Sequence, residues 1–93
     1  MIRHVSISIV GMVQGICFRH YAKVMAERLR VTGWIANLSD GSVQIEAEGE
    51  DEPLCQLIDW CHHGPRGAMV ETVVTSYSPM LKNYSGFEIR YSW

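Results

Sequence analysis

No apolar run in this 93-residue chain approaches the roughly 20 residues of a membrane-spanning helix. The opening, Met1-Ile2-Arg3-His4-Val5-Ser6, also lacks the long apolar region and cleavage pattern of a secretory signal. Both absences point to a cytoplasmic protein without a membrane partner. Charge of one sign is missing too: a net −2 and a pI near 6.0 provide no general attraction for nucleic acid or an anionic surface, so any anion site must be local. Cysteine is sparse, and Cys17, Cys55 and Cys61 are odd in number and lack metal-ligand spacing. Cys55 and Cys61 fall six positions apart in one expected helix, roughly 9 Å along its axis, which is beyond disulfide reach. A bridge from Cys17 stays open. No repeat, linker or low-complexity segment interrupts the chain, and nothing in it calls for a metal or cofactor.

What is present is an ordinary globular composition, 47% hydrophobic and 19% charged, sufficient for one small domain over residues 1–93. Val5-Ser6-Ile7-Ser8-Ile9 alternates as a half-buried strand, and Gly11 to Arg19 follows as a loop containing two glycines. Ala22, Met25, Ala26 and Leu29 then recur on one face of a helix expected over 18–30, which stops before Gly33, a residue able to supply a left-handed turn. Two alternating runs, 33–38 and 43–47, flank Asp40-Gly41, a strong hairpin signal. Gln44, Glu46 and Glu48 are expected on a solvated sheet face, with His4 an ordinary polar residue of the first strand. Acidic residues and Pro53 open a second helix carrying Leu54, Leu57, Ile58 and Cys61 inward, and His62-His63-Gly64-Pro65 ends it. Residues 69–77 read as a strand, 78–85 as a surface loop, and Phe87, Ile89 and Tyr91 alternate in a short last strand.

The order β-α-β-β-α-β plus a short C-terminal strand matches a ferredoxin-like α/β sandwich of the α+β class, with two helices on one face of an antiparallel sheet. That fold serves enzymes and binding modules alike, so the choice rests on the site. A strand emptying through a glycine-bearing loop into a helix turns main-chain N–H groups toward one point, where the helix dipole favours an anion. Arg19 in the first turn adds a planar guanidinium suited to gripping two phosphate oxygens. Cys17 is too close to Arg19 for the pair to wrap a phosphate as a thiol nucleophile and its arginine do. His62 and His63 sit near a helix end where the dipole suits them. His20 is adjacent to Arg19 in sequence, but neighbouring helical positions do not face alike.

Gly11-x-Val13-Gln14-Gly15-Ile16-x-Phe18-Arg19 and Gly33-Trp34-Ile35-x-Asn37-x-x-Asp40-Gly41-x-Val43 together resemble the two signature segments of the acylphosphatase family. Gly64-Pro65-x-x-Ala68-x-Val70 and the ending 87–91 are similar to it as well, so the resemblance spans essentially the whole chain. It implies a cytoplasmic hydrolase that cleaves acyl phosphates to a carboxylate and inorganic phosphate. Carried over by position, the catalytic pair is Arg19 and Asn37, and the phosphate-binding amides are those of Gln14, Gly15, Ile16, Cys17, Phe18 and Arg19, where phosphate or sulfate would also bind. The family commonly has a basic residue before the asparagine, and this chain has Ala36 there. A monomer acting on a small molecule, without nucleic acid or membrane, is expected. The alternatives are a ferredoxin-like module binding a small ligand or RNA without catalysis, and a carbamoyl phosphate domain of a larger maturation protein. RNA recognition on such a sheet uses exposed aromatics beside basic residues, and the strands instead offer Ser6, Ser8, Gln44, Glu46 and Glu48.

Overall fold

The computed structural model describes residues 1–15 and 17–91. Alternation in the first strand, β1 (Ile2–Met12), sends Val5, Ile7 and Ile9 into the core and leaves His4, Ser6 and Ser8 on the opposite face. The remaining elements are α1 (Phe18–Arg28), β2 (Thr32–Asn37), β3 (Val43–Glu50), α2 (Asp51–His63), β4 (Met69–Ser78) and β5 (Phe87–Arg90). They build a five-stranded sheet in the order β4-β1-β3-β2-β5. Phe18, Ala22 and Ala26 of α1 and Leu54, Leu57 and Cys61 of α2 are buried against Ile35, Val43 and Ile45. Helix α1 lies over β2 and β5, while α2 lies over β1, β3 and β4. No helix among the described residues is long and apolar enough to cross a membrane.

Three strand pairings are antiparallel, as expected, but β5 runs parallel to β2, so the sheet is mixed. The cause is topological. β4 and β5 occupy opposite edges and run in opposite directions, so the 79–86 connector leaves the finishing end of β4, crosses the sheet and enters beside the start of β2. In consequence β1, β2 and β5 all finish at the end of the sheet where α1 begins.

Local details depart from the expectations in instructive ways. Helix α1 ends at Arg28, and the left-handed residue that caps it is Arg30 (φ 59°), not Gly33. Arg30 N–H donates to Glu27 O and Val31 N–H to Ala26 O, which is a Schellman cap formed without glycine. Gly33 lies inside β2. Gly11 belongs to β1 and not to the loop: it sits at a β-bulge, where an added Cβ would stand 2.1 Å from the Met69 carbonyl oxygen.

The face away from the helices is not simply solvated. His4 and Glu48 are only 5% and 4% exposed. His4 bonds Glu48 through Nδ1 (2.8 Å) and Glu46 through Nε2 (2.6 Å), and Glu48 also accepts the main-chain N–H groups of Lys82 and Asn83. The 79–86 connector is thereby strapped across this face, with the Tyr84 ring 6.0 Å from that of His4. All three cysteines are free, Cys17 and Cys55 exposed and Cys61 buried. Burial pushes the Cys61 thiol up to about 12.

Candidate active site

The loop between β1 and α1 turns at Gly15, whose φ of 76° suits a residue without a side chain, and at Cys17, which is left-handed at 62° despite having one. Cys17 is the N-cap of α1 but makes no side-chain cap hydrogen bond, and no acidic residue occupies the first turn. Helix α2 differs, with Asp51 and Glu52 meeting its dipole. The positive end of α1 thus has no carboxylate of its own. Its first turn is anchored by Phe18, 2% exposed and tilted against Trp60 at a ring separation of 5.2 Å.

Arg19 follows directly and is half-buried. Its guanidinium lies 4.9 Å from the centre of the Tyr91 ring, and Nη1 donates to the Arg90 carbonyl at 3.4 Å. The end of β5 therefore aims Arg19.

Asn37 is the last residue of β2, on the same sheet face as core residue Ile35. Hydrogen bonds fix the hairpin beyond it. Leu38 N–H donates to Ser42 O at 2.9 Å, and Asp40 Oδ1 accepts from the Ser42 N–H (2.9 Å) and hydroxyl (2.6 Å). The Ser42 hydroxyl and amide hold the Asp40 carboxyl below the ordinary carboxylate range. Gln14 adds two more, its side-chain amide donating to Leu38 O (2.9 Å) and Ser42 O (2.8 Å) and so tying the loop to the hairpin.

Arg19 and Asn37 line the same cavity, of about 310 Å³. Gly15, Cys17 and Phe18 contribute from the loop and helix start, and Ile89 and Tyr91 from the last strand and its end. Among the described residues, Asn37 Oδ1 is the only buried side-chain polar atom without a hydrogen-bond partner. Leaving such an acceptor unpaired costs about 1–3 kcal/mol of stability.

Of the residues singled out from sequence, Gly15, Cys17, Phe18, Arg19 and Asn37 gather at this cavity. Ile16 lies outside the described residues. Gln14 is not in the lining, and its side chain instead bridges loop and hairpin. His20 does line the cavity beside Arg19, contrary to the expectation from helical facing, because both stand in the opening turn where the lining wraps around the helix end. Sequence reasoning missed Tyr91. Its role depends on β5 docking beside β2, and alternation alone cannot reveal which strand is the neighbour. Ala36 is buried opposite Arg90 in the β2–β5 register. The Arg90 guanidinium lies 4.5 Å from the Trp34 ring and pairs with Glu88. No cluster of potential metal ligands occurs among the described residues.

Comparison with known proteins supplies the family. Residues 5–89 match the family model described as Acylphosphatase. The chain belongs to the acylphosphatase family. An acylphosphatase from Salinibacter ruber is 48% identical over 95% of this chain and 93% of its own length. The acylphosphatase structure from Bacillus subtilis superposes with a TM-score of 0.94 at 30% identity, covering 98% of this chain and all (100%) of that one. The acylphosphatase structure from Coxiella burnetii gives 0.91 at 35% identity over 96% and 93% of the two chains. This acylphosphatase fold thus has the ferredoxin-like layering expected from the element order, with the added strand at the β2 edge.

Proposed function

We propose that the protein hydrolyses acyl phosphates, with the phosphoryl group held by main-chain N–H groups of Gly15, Cys17, Phe18 and Arg19 and by the Arg19 guanidinium, and with the attacking water aimed by Asn37. Family membership supports the reaction class. The observation that carries the site assignment is that Asn37 of β2 and Arg19 of α1 line one cavity beside the α1 N-terminus. An amide side chain hydrogen-bonds water and orients it, but is too weak a base to remove its proton.

The chemistry needs little more. As the water oxygen bonds to phosphorus, the bond from phosphorus to the acyl oxygen breaks, and its electron pair leaves with the carboxylate. The water proton passes to a phosphate oxygen or to solvent. A carboxylate whose conjugate acid has a pKa of about 4 departs without a general acid, so positioning and charge stabilisation suffice. The guanidinium and the helix N-terminus stabilise charge on the phosphoryl oxygens in the transition state.

The same proposal takes residues 1–93 as one domain acting as a monomer in the cytoplasm. The cytoplasmic setting is supported by the exposed free thiols of Cys17 and Cys55.

The test is a comparison of benzoyl phosphate with phenyl phosphate, which differ in leaving group. Efficient cleavage of the mixed anhydride with little attack on the ester is expected. Equal or faster ester cleavage would overturn the leaving-group argument.

A further inference from the structure

A second, larger hollow of about 570 Å³ opens on the helix side of the molecule, between α1 and the end of α2. Cys17 lines both this hollow and the cavity holding Arg19 and Asn37, so the two adjoin at the α1 N-terminus. Its walls include Tyr21 and Met25 of α1 and Trp60 of α2. Trp60 is fixed from behind by Phe18, the residue that anchors the first turn beside Arg19.

Two guanidiniums, those of Arg28 and Arg66, also line the hollow, and no carboxylate does. Neither arginine has an ion-pair partner among the described residues, whereas Lys23 of the same helix is paired with Glu27 at 2.7 Å. An aromatic and thioether floor edged by unpaired positive charge is complementary to a flat apolar body ending in an anion.

The geometry points to this hollow as the subsite for the acyl tail of the substrate, and to acyl phosphates with an apolar body and a distal negative group as the preferred class. The inference rests on the proposed hydrolysis at Arg19 and Asn37 and adds its direction. With the phosphoryl group against the loop, the acyl group passes over Cys17 and lies along Tyr21 and Trp60. Its far end then meets Arg28 and Arg66. Both arginines are exposed, so each contributes modestly and is screened by salt.

The experiment measures kcat/KM for acetyl phosphate, benzoyl phosphate and 4-carboxybenzoyl phosphate on the parent protein and on Arg28→Gln, Arg66→Gln and the double variant. The parent is expected to favour the carboxylated substrate over benzoyl phosphate by about tenfold at low ionic strength, chiefly through KM, and each substitution to reduce that ratio roughly threefold. Trp60→Leu is expected to lower the benzoyl-to-acetyl ratio. Equal kcat/KM for the charged and uncharged aromatic substrates, or ratios that do not move in the variants, would overturn the subsite while leaving hydrolysis intact. Absence of hydrolysis with all three substrates would overturn the catalytic reading and the subsite together.

Discussion

Asn37 ends a β-strand with a side-chain oxygen that is buried and, among the described residues, without a hydrogen-bond partner, while Gln14 and Asp40 beside it hold the next turn. Arg19 is the reverse case, a side chain held from two directions by Arg90 O and the Tyr91 ring. Charge alone therefore does not describe its part. Replacing Arg19 with Lys keeps the charge but loses the planar fork and its stacking, and is expected to lower kcat/KM for acyl phosphates by at least roughly tenfold; Arg19→Ala should lose roughly a hundredfold or more and weaken phosphate binding as well. Steady-state kinetics with a phosphate-inhibition series reads both. Retention of full activity in Arg19→Lys would show that a point charge suffices. At this scale residue type was enough to single out Arg19, a guanidinium after a glycine-bearing loop, whereas Asn37 before Asp40-Gly41 reads alone as a turn residue and was singled out by the family resemblance. Tyr91 was not, since an aromatic at the end of a strand has many possible neighbours.

The elements show where periodicity stops being a guide. The stripe Ala22, Met25, Ala26 and Leu29 located α1 correctly, yet extended it beyond its end at Arg28. The residues of the helix cap carry no apolar signal, and the glycine that usually marks such a cap lies at position 33, inside β2. Arg30 takes the left-handed conformation instead, at a steric cost of about 1 kcal/mol for a residue with a Cβ. Arg30→Gly is accordingly expected to stabilise the fold by about 0.5–1 kcal/mol, measured as a shift in urea midpoint at constant slope. A destabilised variant would mean that the Arg30 side chain contributes more than its backbone costs. The parallel pairing of β5 was likewise hidden, because alternation in Phe87, Ile89 and Tyr91 says which residues face inward but not which strand lies alongside.

Across the whole molecule, β5 reaches the site only because the connector from β4 crosses the open sheet face, where His4, Glu46 and Glu48 hold it. Burial works against charge on His4, but its bonds to Glu48 and Glu46 outweigh this and keep its pKa above the ordinary value. Burial also works against charge on Glu48, and the Lys82 amide, His4 and the Asn83 amide together outweigh it and hold the carboxyl below its ordinary range. The raised histidine contributes stability fully present below the unfolded pKa of about 6.5 and lost as pH rises through its folded value; the lowered glutamate contributes stability present above about 4.3 and lost as pH falls through its folded value. Unfolding free energy is therefore expected to be highest between about pH 4.5 and 6.5, and His4→Gln to remove the decline on the alkaline side. A parent and variant with parallel profiles above pH 6.5 would refute the clasp. An alternating polar face gave no hint of it, because a strap from a distant segment leaves no local pattern. The same long-range assembly brings Arg19 from α1 and Asn37 from β2 to one cavity, and its most direct test is inorganic phosphate affinity and acyl phosphate turnover measured side by side on Asn37→Ala. Phosphate should bind within about twofold of the parent while kcat falls roughly hundredfold, and a folded variant that turns over at the parental rate would contradict the assignment.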